Sequence, residues 1–466
     1  MKRGYDLAVV GAGSAGFSAA ITAAEQGARV ALVGHGTIGG TCVNIGCIPS
    51  KTMIRAAEAL HGTRAAHRFP GLVGEAHLAD WQALVGAKDD LVATLRQTKY
   101  LDLLTDYDSI EYVDGTARFN GAGLEVNDEP MRAGSVILAT GASPARPGIP
   151  GIEDVPFLTS TSALELDVLP RSLLVVGGGY IGCELAQMFA RVGVQVTFVT
   201  RSRLLPEAEP EISAALTGTL REEGLTVRTG LAYRRIARTD KGVALTIETG
   251  GREETVTADE VLVATGRTPN TAGMGLAGAG VRLHDTGAIL VDERMRTSRP
   301  RVYAAGDVTG RDQFVYMAAY GAKLAAHNAL NGDGKVYDNT AMPWVVFTDP
   351  QVAGAGLGEA EARAAGYAVK TSILPLDQVP RALAARDTRG LVKLIADAGS
   401  DRLIGGQILA PEGADSIQTL VLALRHGMTA KDLGETVFPN LTTVEGLKLA
   451  AQGFEKDVAK LSCCAG

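Results

Sequence analysis

The chain has 466 residues, 46% hydrophobic and 21% charged, the balance of an ordinary globular protein and not of a disordered or fibrous one. A net charge of −7 gives no electrostatic footprint for nucleic acid, and no apolar run is long enough to span a bilayer. Five cysteines are too few for a secreted disulfide framework and fit a cytoplasmic protein using a few reactive thiols, over a length that allows roughly three domains.

In chain order, residues 5–33 (YDLAVVGAGSAGFSAAITAAEQGARVALV) predict a strand, a glycine turn, a small-residue helix and a second strand, the βαβ unit of a dinucleotide fold. Gly11 permits the turn, Gly13 admits a pyrophosphate, and Gly16 lets helix and strand pack closely while the helix N-terminus attracts the phosphates. The apolar run over 7–20 is therefore read as nucleotide-binding and not as a signal peptide. A carboxylate for a ribose hydroxyl is expected at the end of the second strand, near Gly34. None is present, so the adenosine end should be held less firmly.

Residues 36–55 (GTIGGTCVNIGCIPSKTMIR) place Cys42 and Cys47 behind a turn at Gly39 and Gly40, between a strand over 28–33 and a helix from Ser50 onward. Pro49 sits near the first turn of that helix, where its missing N–H costs nothing. Such a pair can close as a small-loop disulfide, and a helix N-terminus favours the reactive thiolate. The same spacing is met in metal clips and in unrelated buried thiols; the fingerprint just upstream weights the redox reading. Residues 56–133 predict a helical stretch with Trp81 and a strand EYVDGTARF. His61, His67 and His77 lack metal-ligand spacing and read as surface or packing residues. SVILATGASPARPGIPG closes the first domain, with Pro144, Pro147 and Pro150 marking a linker.

From Ser172 the pattern repeats (SLLVVGGGYIGCELAQMFARVGVQVTFVTRS), with Gly177, Gly179 and Gly182 as fingerprint, so two dinucleotides are expected. After the second strand, Thr200, Arg201, Ser202 and Arg203 present cations where a carboxylate would stand. That favours a 2′-phosphate and hence NADPH, a solvated basic loop being the alternative. Glu184, on the helix after Tyr180, is read as a carboxylate partner for Lys51, and Cys183 as a small buried hydrophobe. VLVATGRTPN ends the second domain. RVYAAGDVTG then returns to the first nucleotide, with Asp307 suited to a polyol such as a ribityl chain, and an Ala-rich helix follows over 314–328. Residues 341–466 read as α+β, with strands around 368–376 and 391–409 and then two helices; lacking a glycine fingerprint, they have the character of an oligomer interface. The tail LSCCAG sets Cys463 beside Cys464. Adjacent cysteines bridge only with strain, and as free thiols they suit capture of a soft metal ion, or are incidental to a frayed terminus.

With these segments in place (GAGSAG, GGTCVNIGCIPSK, ATGASP, the second fingerprint, ATGRTPN, YAAGD and VFTDPQVA), the chain resembles the flavin-dependent pyridine-nucleotide disulfide oxidoreductases over essentially its whole length. FPNLTTVEGLKLAAQ and SCCAG point, within that family, to the members that reduce Hg(II). The resemblance implies an α/β enzyme with two Rossmann-like dinucleotide-binding domains plus a C-terminal α+β dimerisation domain: 1–150 for FAD, with 271–340 returning to it, 151–270 for NADPH, and 341–466 as the interface of a homodimer. It assigns FAD to Gly11, Gly13, Ala15, Gly16, Gly40, Thr41, Lys51, Ala117, Thr140, Gly141, Asp307 and Val315, and NADPH to Gly177, Gly179, Tyr180, Gly182, Arg201, Arg203 and Gly266.

Catalysis is carried over to Cys42, Cys47, Lys51, Glu184, Asn440 and Glu445, with Cys47 the charge-transfer thiolate and Cys42 facing the substrate. Hg(II), arriving as thiol complexes, is caught by Cys463 and Cys464 of one subunit and passed to Cys42 and Cys47 of the other. The chain departs from the pattern twice, at Gly34 and at Asn440. Disulfide reductases of the family carry a histidine base at the latter position and the Hg(II) reducers commonly a tyrosine, so reduction of lipoamide- or glutathione-type disulfides, the alternative activity, lacks its usual acid. The flavin domain begins at once, so Hg(II) is expected to reach the tail without an N-terminal metal-binding domain. A metal-sequestering thiol buffer would need neither nucleotide site.

Overall fold

A computed structural model describes residues 4–121 and 123–460. The chain divides into two compact units, one of residues 4–52, 82–145 and 266–338 and the other of 53–81, 146–265 and 339–460. The stretches 151–265 and 341–460 thus share a unit, while 266–270 fall in the first.

In the first unit, β1 (Tyr5–Val10), β2 (Val30–Gly34) and β3 (Ile110–Asp114) form a parallel sheet with Ala133–Leu138 and Val302–Ala304, in the order Val302–Ala304, Ala133–Leu138, β1, β2, β3. Every residue of β2 is buried, as a central parallel strand with both faces covered requires. Helix α1 (Ser14–Ala24) covers one face of the sheet and packs against Val315–Asn331. Val10, Val33, Leu138, Ile289 and Val308 belong to one core cluster of this unit. The predicted strand EYVDGTARF is two strands. At Gly115 the N–H still bonds Gly34 O, but Asn127 then claims the Thr116 N–H, and Ala117–Asn120 leaves for a separate antiparallel meander.

The second unit holds a second parallel sheet, in the order Thr226–Arg228, Gln195–Val199, Ser172–Val176, Glu260–Val263, with helix Tyr180–Arg191, and a three-stranded antiparallel sheet over 232–258. Its C-terminal part is a five-stranded antiparallel sheet. Residues 391–409, read as one strand region, form the hairpin Leu391–Asp397 and Leu403–Ala410, and three helices follow where two were expected: Gly413–Arg425, Ala430–Glu435 and Glu445–Gln452. The extra helix is the six-residue Ala430–Glu435, whose start is closed by a capping box between Thr429 and Asp432.

Two buried charge clusters tie this unit together. Lys393 is 1% exposed, and its Nζ bonds Glu209 at 2.6 Å, Glu359 at 2.9 Å and Glu211 at 3.0 Å. Around Asp349, Arg191 bridges to Glu223 and Asp349, Arg389 reaches Glu223, Asp349 and Asp387, and Arg68 bonds Asp387 at 3.0 Å. His61 packs beside this network, 3.9 Å from Glu223, and burial with the neighbouring Arg191 holds its imidazole below the usual range. Burial works against the Asp387 carboxylate, but Arg389 and Arg68 outweigh it and keep it below its ordinary value.

Removing one partner from a buried cluster strands the others. Replacing Lys393 with Met should therefore cost about 3 kcal/mol or more, read as a lowered urea midpoint. A group with a depressed native pKa stabilises above its unfolded value, and that stability is lost as pH falls through the folded value. The deficit of Asp387→Asn in denaturant melts should accordingly be largest near neutrality and narrow as pH is lowered towards about 3.

Candidate active site

The first nucleotide site lies where four parallel strands end: Gly11 follows β1, Gly34 closes β2, Thr140 and Gly141 follow Ala133–Leu138, and Gly306 with Asp307 follow Val302–Ala304. This carboxyl edge is where open α/β sheets bind their ligands. Gly16 is required by close approach, since a Cβ there would lie 1.7 Å from Gly11 O. Gly13 is the N-cap of α1 and supplies no side-chain cap, leaving the first N–H groups for a phosphate. Thr140 Oγ1 bonds Asn270 O at 2.8 Å, and the two ATG segments pair as Ala142–Pro144 with Arg267–Pro269. Gly266 therefore lies in the first unit, its carbonyl accepting from Ala145 N–H. Ala15 is on α1, Ala117 opens the meander and Val315 opens helix Val315–Asn331.

The cysteine turn is fastened directly to this phosphate loop. Gly39 N–H donates to Ala12 O at 2.9 Å. Gly40, at φ +66°, packs on Gly13 so closely that a Cβ would stand 2.5 Å from Gly13 Cα. Asn44 Nδ2 braces the turn from inside by bonding Ile38 O and Gly40 O, both at 2.9 Å. Helix formation starts earlier than expected: Thr41 and Cys42 sit in α2 (Gly40–Ile45), and Cys47 opens α3 (Cys47–Arg64), with Gly46 as the break and Ser50 N–H bonding Gly46 O. Both cysteines are half-buried thiols. The Cys42 thiol is pushed well above its ordinary range, first by its hydrogen bond to Cys47, then by burial, with Lys51 pulling the other way.

Tyr100 escaped the sequence reading. It sits in a π-helical turn, Gln97–Leu101, a feature frequent at functional sites. Its ring meets Phe17 edge-on at 4.9 Å and its hydroxyl lies 3.3 Å from Ser14 Oγ, while burial and the charge of the two cysteines raise its pKa.

The first site fits a flavin dinucleotide on two counts. The glycine cradle leaves no room for side chains at Gly11 or Gly16. Arg267 Nε is a buried donor without a hydrogen bond, 3.6 Å from Asp307 Oδ2, and burial raises the Asp307 carboxyl while Arg267 opposes it. A polyol hydroxyl between them would satisfy the orphaned donor.

In the second unit, Gly177 and Gly182 repeat the close approach, with a Cβ on Gly182 only 2.0 Å from Gly177 O, and Gly179 is an open N-cap of helix Tyr180–Arg191. Tyr180 stacks on Trp344 with ring centroids 5.8 Å apart, and Trp344 lies over its cross-strand partner Gly354. That indole, arriving from the C-terminal sheet, was not singled out in the sequence. Arg201 is exposed, whereas Arg203 is committed to the loop, donating to Pro206 O and Ala208 O. Cys183 is fully buried. Glu184, 5% exposed, accepts from Phe347 N–H at 2.9 Å. Asn440 is exposed, in a loop held by the buried Glu445, which accepts from Leu441 N–H at 3.1 Å. Cys463 and Cys464 lie outside the described residues. Among the described residues no helix is long and apolar enough to cross a membrane.

The sequence matches the pyridine nucleotide-disulphide oxidoreductase family over residues 5–326 and that family's dimerisation domain over residues 342–451. It is 48% identical to the mercuric reductase of Staphylococcus aureus, over 99% of this chain and 84% of the relative. It is equally 48% identical to that of Streptomyces lividans, over 99% of both chains. Among solved structures, the HOCl-induced flavoprotein disulfide reductase RclA from Escherichia coli superposes with a TM-score of 0.84 at 31% identity, covering 96% of this chain and 99% of that one. The chain, with its dimerisation domain, belongs to the pyridine nucleotide-disulphide oxidoreductase family and is an oxidoreductase of the kind that uses a flavin and a pyridine nucleotide.

Proposed function

We propose that the protein is a cytoplasmic, homodimeric enzyme that reduces Hg(II) to Hg(0) at the expense of NADPH, with FAD and the Cys42–Cys47 pair as the route for two electrons. The observation that carries this reading is the cysteine turn hydrogen-bonded to the phosphate loop, Gly39 N–H to Ala12 O, with Cys47 beside Cys42 and pushing its thiol up. Relatives at 48% identity that are mercuric reductases support the substrate.

FAD would be held by the glycines of the first fingerprint, by Gly40, Thr41, Lys51 and Thr140, and by Asp307 with Arg267 at its ribityl chain. NADPH would be held by the second fingerprint, Tyr180 and Arg201. When bound, the flavin supplies two-electron transfer from the nicotinamide to the cysteine pair. We assign the negative charge to Cys47 as the charge-transfer sulfur, in keeping with a Cys42 thiol pushed up by its hydrogen bond to Cys47 and by burial. Lys51 places a positive charge near the pair and opposes the rise of the Cys42 thiol. Hg(II) is a soft ion that thiolates select; it exchanges from Cys463 and Cys464 of the partner subunit onto Cys42 and Cys47, the Cys42 proton being released as the sulfurs bind. The two electrons stored in the pair convert it to Hg(0) as Cys42 and Cys47 close to a disulfide, and Hg(0), which thiolates hold poorly, leaves; electrons from a further NADPH would reopen the pair. Asn440 offers an amide but no acid for a leaving thiol, which disfavours the disulfide-reductase reading.

Purified protein with FAD and excess small thiol should oxidise NADPH only when Hg(II) is supplied and should be slow with glutathione or lipoamide disulfides. An NADPH rate indifferent to Hg(II) would refute the assignment. Serine at position 42 or 47 should lower Hg(II)-dependent turnover by about a hundredfold or more while leaving the flavin absorbance of the holoprotein in place.

A further inference from the structure

A dinucleotide-binding βαβ unit ordinarily closes its second strand on an acid that bonds a ribose hydroxyl, and this chain has Gly34 there. The structure shows what stands in the gap. A Cβ on Gly34 would lie 2.6 Å from Ala12 Cβ, in the phosphate loop, and 3.4 Å from Tyr112 Oη. Tyr112 is on β3, the edge strand of the sheet, opposite Leu32, two residues before the Gly34–Asp114 pair in the same register. Residues two apart on a strand share a face, and Leu32 Cδ1 lies 3.5 Å from the Cβ position of Gly16 on α1. Tyr112 therefore rises on the α1 face, and its hydroxyl enters the notch beside the loop that receives the pyrophosphate. Among the described residues that hydroxyl has no hydrogen-bond partner. Burial, and then the charge of Asp114, raise its pKa, so it is a neutral phenol able to donate as well as accept.

We propose that Tyr112 Oη takes the place of the missing carboxylate and hydrogen-bonds a hydroxyl of the adenosine ribose of FAD. This rests on the reading of the first site as an FAD site and concerns only the adenosine end, away from the reacting sulfurs. A neutral bond replaces a charge-assisted one, so the contact specifies the ribose without placing a negative charge beside the pyrophosphate. His35, exposed in the turn after Gly34, is the rival partner.

The test is flavin affinity. The full chain, stripped of flavin, is titrated with FAD and followed by quenching of flavin fluorescence, with circular dichroism confirming the fold of each variant. Tyr112→Phe removes one oxygen and should weaken FAD about fivefold. FAD carrying 2′-deoxy- or 3′-deoxyadenosine should bind the wild type more weakly by a similar factor for one of the two analogues. That analogue should bind Tyr112→Phe no worse than FAD does, because the two losses are the same bond. FMN, which lacks the adenosine, should not distinguish the variant. Unchanged FAD affinity in Tyr112→Phe, fully additive losses, or a loss confined to His35→Ala would each overturn the proposal. A wild-type chain that binds no FAD would instead overturn the FAD reading on which it rests.

Discussion

The chemistry proposed for this protein depends on one short fastening: the Gly39 N–H bonded to Ala12 O, and the backbone of Gly40 pressed on that of Gly13. It makes the turn that carries the cysteines and the loop that cradles a pyrophosphate a single rigid piece. A dinucleotide anchored at the helix N-terminus is thereby registered against the sulfurs with little freedom, because neither backbone can yield without breaking the other. Asn44 inside the turn and Tyr100 outside it, bonded to Ser14 on the same helix, brace the fastening from two sides. Electron transfer between fixed partners needs this kind of positioning more than it needs many catalytic groups.

The second unit solves a different problem. Its glycine fingerprint repeats the first, yet its surroundings belong to the C-terminal sheet. Trp344 stacks on Tyr180, Phe347 N–H occupies Glu184, and Lys393 draws together Glu209, Glu211 and Glu359. Nucleotide-binding and dimerisation segments are thus welded through buried charges and a ring stack, and not through a broad apolar seam alone. Buried ion clusters are costly to desolvate and costly to break, which favours one arrangement of the two segments over neighbouring ones.

Much of this was readable along the chain, for a physical reason. The two fingerprints, the cysteine turn and Asp307 each sit within a short local stretch whose residue types answer to backbone geometry. The strands and helices of the two fingerprints appear where the periodicity of small and apolar residues places them, whereas the cysteine turn is helical from Gly40, earlier than its sequence suggests. What could not be read depends on register between distant strands. Tyr112 meets Gly34 because β3 runs beside β2, and Trp344 meets Tyr180 because the C-terminal sheet returns to the second fingerprint. Neither pairing leaves a trace in local composition. The split of EYVDGTARF has the same origin: Asn127, from the next hairpin, ends the strand. Arg203 shows the converse, a residue whose type suited a phosphate but whose guanidinium is spent on its own loop.

The loop bearing Asn440 owes its shape to other residues. Leu441 takes a left-handed conformation, its N–H is held by the buried Glu445 carboxylate, and Thr442 bonds back to Pro439 O. The side chain at 440 is exposed on this loop, whose backbone course is set by Leu441, Thr442 and Glu445. The reagent offered at that position is thus chosen by one side chain, while the backbone that presents it is fixed from beneath by Glu445 and its neighbours.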